Sequence, residues 1–63
     1  MFRNLKAEMG RNSIRAKDIA KALNVREATI SFKMNGKSDF TFNEAKQIKE
    51  IFFPDLDIEY LFA

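Results

Sequence analysis

The fold is decided by residues 16–36, AKDIAKALNVREATISFKMNG. Small and apolar side chains recur there at the spacing of one helical face and predict a helix over roughly 15–23. These side chains are Ala16, Ile19, Ala20 and Leu23. Asn24 follows the last of them and is predicted to end the helix, because asparagine tolerates the left-handed backbone conformation.

A third helix is predicted over roughly 26–35, closed by the breaker pair Asn35-Gly36. Ile30 and Met34 stand four residues apart and are expected to anchor its underside. Two short helices around a tight turn are the layout of a helix-turn-helix. In that layout Ala20 is small where the helices cross, and Val25 is expected to fill the gap beneath the turn.

The outer face of the predicted third helix is small and mostly uncharged. At about 100° per residue from Ile30, Phe32 falls near 200° and Ala28 near 160°, so both are expected to point away from the core. Thr29 and Ser31 flank them. Such a face fits a DNA major groove, which is about 12 Å wide.

The remaining segments predict further helices and no strand. Phe2, Leu5 and Met9 share one face of a first helix, which Gly10 is expected to end. After a loop over 37–40, Thr41 and Glu44 match a capping box. The apolar stripe of this fourth helix is predicted to consist of Phe42, Ala45, Ile48, Ile51 and Phe52, and Pro54 ends the helix. Asp55 or Asp57 is expected to cap a last turn that runs to Tyr60.

The prediction is therefore an all-α, compact four- to five-helix domain that contains a helix-turn-helix and spans residues 1–63. The 63 residues include no histidine and no cysteine, so we expect no thiolate metal site, no cofactor and no enzyme activity. No apolar run approaches the about 20 residues that cross a bilayer, and no signal peptide is visible. A cytoplasmic protein without membrane contact is expected.

Charge is distributed unevenly along the chain. Residues 1–38 carry nine Lys and Arg against three acids, a formal charge of +6, whereas residues 39–63 carry two against six, or −4. A basic N-terminal part and an acidic C-terminal part favour a polyanionic partner on one face. The alternative is that a small domain scatters its charge for solubility.

The chain resembles the small lambda-repressor/Cro-type helix-turn-helix proteins, especially the short phage-encoded type of Gram-positive bacteria. The matching segments are Asp18-Ile19-Ala20, Ala22-Leu23-Asn24-Val25, Ala28-Thr29-Ile30-Ser31, Lys33-Met34-Asn35-Gly36-Lys37, Phe40-Thr41 with Glu44-Ala45, and the tail from Phe52 to Phe62. The resemblance implies a five-helix domain that binds operator DNA, usually as a dimer.

The sequence departs from the family pattern at several positions. The family often has glutamine, which bonds a phosphate, where this chain has Ala16, so that contact is lost or taken over by Lys17. Arg15 stands where a threonine N-cap is frequent, and Asn24 replaces the turn glycine. Phe32 occupies an outer-face position that often holds glutamine or arginine, which removes a bidentate base contact.

The candidate base-reading residues lie at the start and on the outer face of the third helix: Arg26, Glu27, Ala28, Ser31 and Phe32. For Arg26 a solvated charge or a phosphate contact is the alternative, and Glu27 is equally a first-turn acid that the helix dipole favours. Phe32 is expected to pack on a thymine methyl, to fold back against Phe40, or to contact a protein. The candidate phosphate contacts are Lys17, Thr29, Lys33, Asn35, Lys37 and Ser38.

The C-terminal segment is unusually apolar. Its eight apolar residues are Ile51, Phe52, Phe53, Leu56, Ile58, Tyr60, Leu61 and Phe62. Most are expected to close the core, and an exposed remainder would form a homodimer surface. The sequence thus favours a DNA-binding transcriptional regulator whose partner is double-stranded DNA. The alternative is a protein–protein adaptor or antirepressor that kept the fold without strong DNA binding.

Overall fold

A computed structural model describes residues 2–63, so only Met1 of the predicted domain lies outside the described residues. Over this range the chain is all-helical and contains five helices. They are α1 (Arg3–Arg11), α2 (Ala16–Leu23), α3 (Glu27–Met34), α4 (Phe42–Phe52) and α5 (Ile58–Leu61). The all-α prediction is confirmed. None of these helices is both long and apolar enough to cross a membrane.

The core is assembled from all five helices. The largest fully buried side chains are Leu5, Ile19, Ile30, Ile48 and Leu61, and each comes from a different helix. Since each short helix buries a branched apolar side chain in the shared core, no helix is held by local propensity alone. The aromatic rings of Phe2, Phe40 and Phe62 close one side of the core in mutual edge-to-face contacts, with centroids 5.3 to 5.9 Å apart.

The first three helices end in the same backbone motif. In each, a residue with positive φ lies at the C-cap or directly after it, and the next amide N–H bonds back to a carbonyl of the last turn. These positive-φ residues are Ser13 (55°), Asn24 (59°) and Gly36 (79°). The prediction that Asn24 ends α2 is confirmed. The prediction that Gly10 ends α1 is wrong, because the helix continues to Arg11 and the left-handed residue is Ser13.

The connection between α2 and α3 consists of three residues, and the two helices pack directly on each other. Ala20 is 3 % exposed, as expected for a small residue in that contact. The Val25 amide donates to the Ala20 carbonyl oxygen at 2.9 Å, which fixes the turn. The side chain of Val25 is 37 % exposed, so the expectation that it fills a gap beneath the turn is wrong. Its backbone, rather than its side chain, holds the connection.

Helix α4 begins at the predicted capping box but buries a narrower face than the predicted apolar stripe. The Glu44 amide donates to Thr41 Oγ1 at 3.1 Å, and the Thr41 amide donates to Glu44 Oε1 at 2.8 Å. Ala45 and Ile48 are buried, whereas Phe42 is 72 % and Ile51 52 % exposed, so the predicted five-residue stripe is wrong at both of these positions. Nine residues at about 100° each separate them by half a turn, which places them on opposite flanks of the core-facing side.

The C-terminal segment mostly closes the core. Helix α4 ends at Phe52, in agreement with the effect expected of Pro54. Phe53 is buried, and the Lys49 ammonium donates to the Pro54 carbonyl oxygen at 2.8 Å, which braces the bend. Asp57 precedes α5 as its N-cap residue, although its carboxylate forms no capping hydrogen bond.

Candidate functional site

Helix α3 exposes the face that the sequence predicts to be its outer face. Ile30 and Met34 are buried, whereas Phe32 is 57 % exposed and Ala28 is also exposed. Thr29 and Ser31 are half-buried on the flanks. The periodicity of the sequence therefore assigned the two faces of α3 correctly.

Phe32 borders a shallow depression of about 240 Å³ at the N-terminal half of α3. The depression is lined by Arg26, Ala28, Thr29 and Phe32. Helical side chains lean toward the N-terminus of their helix, so the Phe32 ring covers the turn that carries Ala28 and Thr29. Because Arg26 precedes the first turn, its guanidinium group supplies a positive charge at one end of this apolar depression.

A second cation lies at the other end of α3. The Lys37 ammonium group is 5.4 Å from the centroid of the Phe32 ring, within cation–π distance. The Lys37 amide also donates to the Phe32 carbonyl oxygen at 3.0 Å, and Gly36 provides the left-handed conformation that this bond requires. The backbone turn thus places Lys37 beside Phe32.

Phe32 does not fold back on the core. The alternative partner that the sequence offered, Phe40, packs against Phe2 and Phe62. Among residues 2–63 the Phe32 ring joins no aromatic pair, and Lys37 is the cation over it. The interpretation of Phe32 as a core residue is therefore wrong, and the DNA and protein-contact interpretations stay open.

Lys33 differs from the other predicted phosphate contacts because its ammonium group is bound within the domain. Its ammonium group donates to both carboxylate oxygens of Glu44, at 2.6 and 2.7 Å, and it lies 6.0 Å from the centroid of the Phe40 ring. The Lys33 side chain is only 13 % exposed. The charge of Lys33 is thus neutralised within the domain and links α3 to α4, and the phosphate contact expected of Lys33 stays a prediction.

This environment lowers the pKa of Glu44. Burial of the carboxylate alone would raise the pKa, but the hydrogen bond from Lys33, the hydrogen bond from the Thr41 amide and the charge of Lys33 together lower it below its ordinary value. Glu44 therefore stays ionised over a wider pH range than a solvated glutamate, and it serves at once as cap and as counterion.

The other predicted phosphate contacts remain accessible. Lys17 lies in the first turn of α2, and Asn35 and Ser38 lie in the connection that follows α3; all three are exposed. Within residues 2–63 the two salt bridges are Arg11–Glu8 and Lys33–Glu44, so the positive charges of Lys17, Arg26 and Lys37 are not neutralised by an ion pair. Glu27 is exposed in the first turn of α3.

A second polar cluster joins the two ends of the chain. Glu8 is buried, and its Oε2 accepts hydrogen bonds from Arg11 at 2.6 Å and from the Tyr60 hydroxyl at 2.8 Å. This hydrogen bond to Glu8 is the main reason that the pKa of Tyr60 is raised. The Asn4 side-chain amide donates to the Tyr60 carbonyl oxygen at 2.8 Å. Local sequence patterns carry no signal for the contact between Glu8 and Tyr60, since 52 residues separate them.

The cluster around Glu8 is a structural link between α1 and α5. Its hydrogen-bonding groups are matched to one another, and no buried side-chain nitrogen or oxygen atom in residues 2–63 is left without a partner. The same range contains no group of three or more acidic side chains arranged to hold a metal ion. The exposed face of α3 is therefore the stronger candidate for a functional surface.

Comparison of the chain with protein-family models, curated proteins and solved structures finds no significant match. The candidate function accordingly depends on the residues of this chain and on their arrangement.

Proposed function

We propose that this protein is a sequence-specific DNA-binding transcriptional regulator that places α3 in the major groove of an operator. The observation that carries the proposal is the exposed face of α3, on which Phe32 stands between Arg26 and Lys37. A short helix with a small, accessible face and a cation at either end has the shape and the charge to enter a groove between two phosphate backbones.

The geometry of α2 and α3 supports a helix-turn-helix. Two helices of eight residues each are joined by three residues and pack on each other, and the small residue Ala20 of α2 is buried. In such a motif the second helix enters the major groove and the first lies across the backbone. By this proposal, Lys17 in the first turn of α2 faces the phosphates, while the N-terminal half of α3 faces the bases.

The assignment of roles follows from exposure. Arg26, Glu27, Ala28, Ser31 and Phe32 are proposed to read bases. Lys17, Thr29, Asn35, Lys37 and Ser38 are proposed to contact phosphates. Lys33 is omitted because its ammonium group is bound to Glu44. Fewer phosphate contacts imply a smaller salt dependence, since each contact contributes roughly one unit to the slope of log affinity against log salt.

A dimer is proposed as the DNA-binding form. Two copies would present their α3 helices to successive major grooves, about 34 Å apart along the duplex. Two residues of the apolar C-terminal segment, Phe53 and Leu61, are buried, and its exposed side chains are Ile51 at 52 % and Tyr60 at 39 %. These side chains are the proposed contact between the copies.

Selection of bound duplexes from a random pool, followed by a salt titration of the best duplex, tests the proposal. We expect enrichment of one sequence with two related half-sites, and a steep fall in affinity as salt rises. A random duplex of the same length is the control, and it should bind more weakly by a factor of about a thousand or more. Absence of enrichment would refute the proposal.

The second candidate function is a protein–protein adaptor or antirepressor. The observation that favours it is the 57 % exposure of Phe32, since large exposed apolar side chains commonly mark protein contacts. An apolar protein interface is far less sensitive to salt than a DNA complex. Binding to a protein target that persists at high salt, together with no duplex selected from the pool, would support the adaptor.

A further inference from the structure

The depression beside Phe32 has one charged residue, Arg26, in a lining that otherwise consists of uncharged side chains. The uncharged lining residues are Ala28, Thr29 and Phe32. The side chains of Ala28 and Phe32 neither donate nor accept a hydrogen bond at a base edge. The group that they fit is therefore a small apolar one, presented next to negatively charged phosphates.

In the DNA major groove one base edge meets this description. Thymine alone among the four standard bases carries a methyl group, on C5, and apolar side chains contact it there. We propose that Ala28 and Phe32 form a receptor for the thymine C5-methyl group, with Thr29 beside them, and so set the sequence preference at that position. This inference deepens the proposed function and rests on it.

The two flanking cations argue for DNA as the occupant rather than an apolar protein surface. Arg26 borders the depression, and the Lys37 ammonium group lies over the Phe32 ring at 5.4 Å. Within residues 2–63 neither cation has an acidic partner. Two uncompensated positive charges beside a shallow depression with apolar walls complement a thymine between two phosphates.

Lys37 also orients the proposed receptor. An exposed phenylalanine has several rotamers, but an ammonium group at cation–π distance favours the one in which the ring lies beneath it. The backbone turn at Gly36 fixes the position of Lys37 relative to Phe32. Lys37 is thus proposed both to contact a phosphate and to hold the ring in place.

Deoxyuridine substitution tests the inference without altering the protein. In the duplex selected from the random pool, each thymine is replaced in turn by deoxyuridine, which lacks the methyl group and keeps every hydrogen-bonding atom. We expect affinity to fall about fourfold at one thymine of each half-site, the value of one buried methyl group, and to stay unchanged at the others.

A variant then assigns the methyl contact to Phe32. The Phe32→Ala protein should bind the thymine and deoxyuridine duplexes equally well, while Phe32→Leu, which keeps an apolar side chain, should retain part of the difference. Lys37→Arg, which keeps the cation, should preserve the preference. Thermal melting of each variant checks that folding is intact, as the exposure of Phe32 predicts.

The outcomes separate this inference from the proposed function. If a preferred duplex is selected and no deoxyuridine substitution weakens it, the methyl receptor is refuted and DNA recognition stands. The receptor is also refuted if Phe32→Ala keeps the full preference for thymine over deoxyuridine. If the pool yields no preferred duplex, both the receptor and the proposed function fail.

Discussion

Lys33 on α3 and Glu44 in the first turn of α4 form a bidentate ion pair, with Nζ 2.6 and 2.7 Å from the two carboxylate oxygens. Glu44 also caps α4 through Thr41, so one carboxylate ties the start of α4 to the last turn of α3. The pair lies behind the exposed face of α3. It therefore fixes the position of that helix and does not take part in its surface.

Glu44→Gln should lower the free energy of unfolding at neutral pH by about 1 kcal/mol, because glutamine keeps the capping oxygen and loses the charge. The folded-state pKa of Glu44 is lowered, so its stabilisation is present above the unfolded value of about 4.5 and is lost as pH falls through the folded pKa. Chemical denaturation across this pH range should show the difference from the parent protein shrinking in acid. Glu50→Gln, on the exposed side of α4, is the control and should change little at any pH.

Ala20→Leu should destabilise the domain by about 1–3 kcal/mol through overpacking between α2 and α3. A domain of this size has a free energy of unfolding of roughly 3–5 kcal/mol, so the variant should melt at a much lower temperature or less cooperatively. Ala22→Leu places the same side chain on the exposed side of the same helix and should melt like the parent. Equal melting of the two variants would mean that Ala20 does not limit the approach of the helices.

Lys17→Ala should weaken binding to the selected duplex and to a random duplex alike, whereas Lys37→Ala should weaken the selected duplex more, because Lys37 also orients Phe32; each should reduce the salt slope by about one. Their accessible, unpaired ammonium groups are the reason. Lys46→Ala, an exposed cation of α4, is the matched control and should leave the slope unchanged. The docking of α3 would be wrong if Lys46→Ala had the same effect as the other two, or if neither Lys17 nor Lys37 mattered.

Glu8→Gln should lower the pKa of Tyr60 toward its ordinary value of 10.0, because the hydrogen bond to the Glu8 carboxylate is the largest cause of the raised pKa and a neutral amide oxygen accepts more weakly. Tyr60 is the chain's one tyrosine and there is no tryptophan, so near-ultraviolet titration of tyrosinate reports this group alone. A raised folded-state pKa means that the stabilisation is present below the unfolded value and is lost as pH rises through the folded one. Glu59→Gln, beside Tyr60 in sequence, is the control. If both variants lowered the pKa of Tyr60 equally, the raised pKa would be due to nearby negative charge in general and not to the hydrogen bond.

The sequence alone determined the order of the helices and most of their ends. Apolar spacing located α2 and α3 to within about a residue at each end, and the local chemistry of Asn24, Thr41 with Glu44, and Pro54 fixed where helices begin or stop. Such signals act between residues that are close along the chain, so they can be read without knowing the fold. The same reasoning identified Phe32 as exposed.

Only the tertiary structure decided which partners meet across the chain. Lys33 and Glu44 are 11 residues apart and Glu8 and Tyr60 are 52 apart, and no local pattern distinguishes these paired charges and hydroxyls from solvated ones. The exposure of Phe42 and Ile51 was also set by the helices that pack against α4. The side of α4 that faces the core is narrower than the arc over which its apolar residues are spread. Long-range packing thus removed Lys33 from the candidate site and left Phe32, with Lys37 over its ring, on the open face of α3.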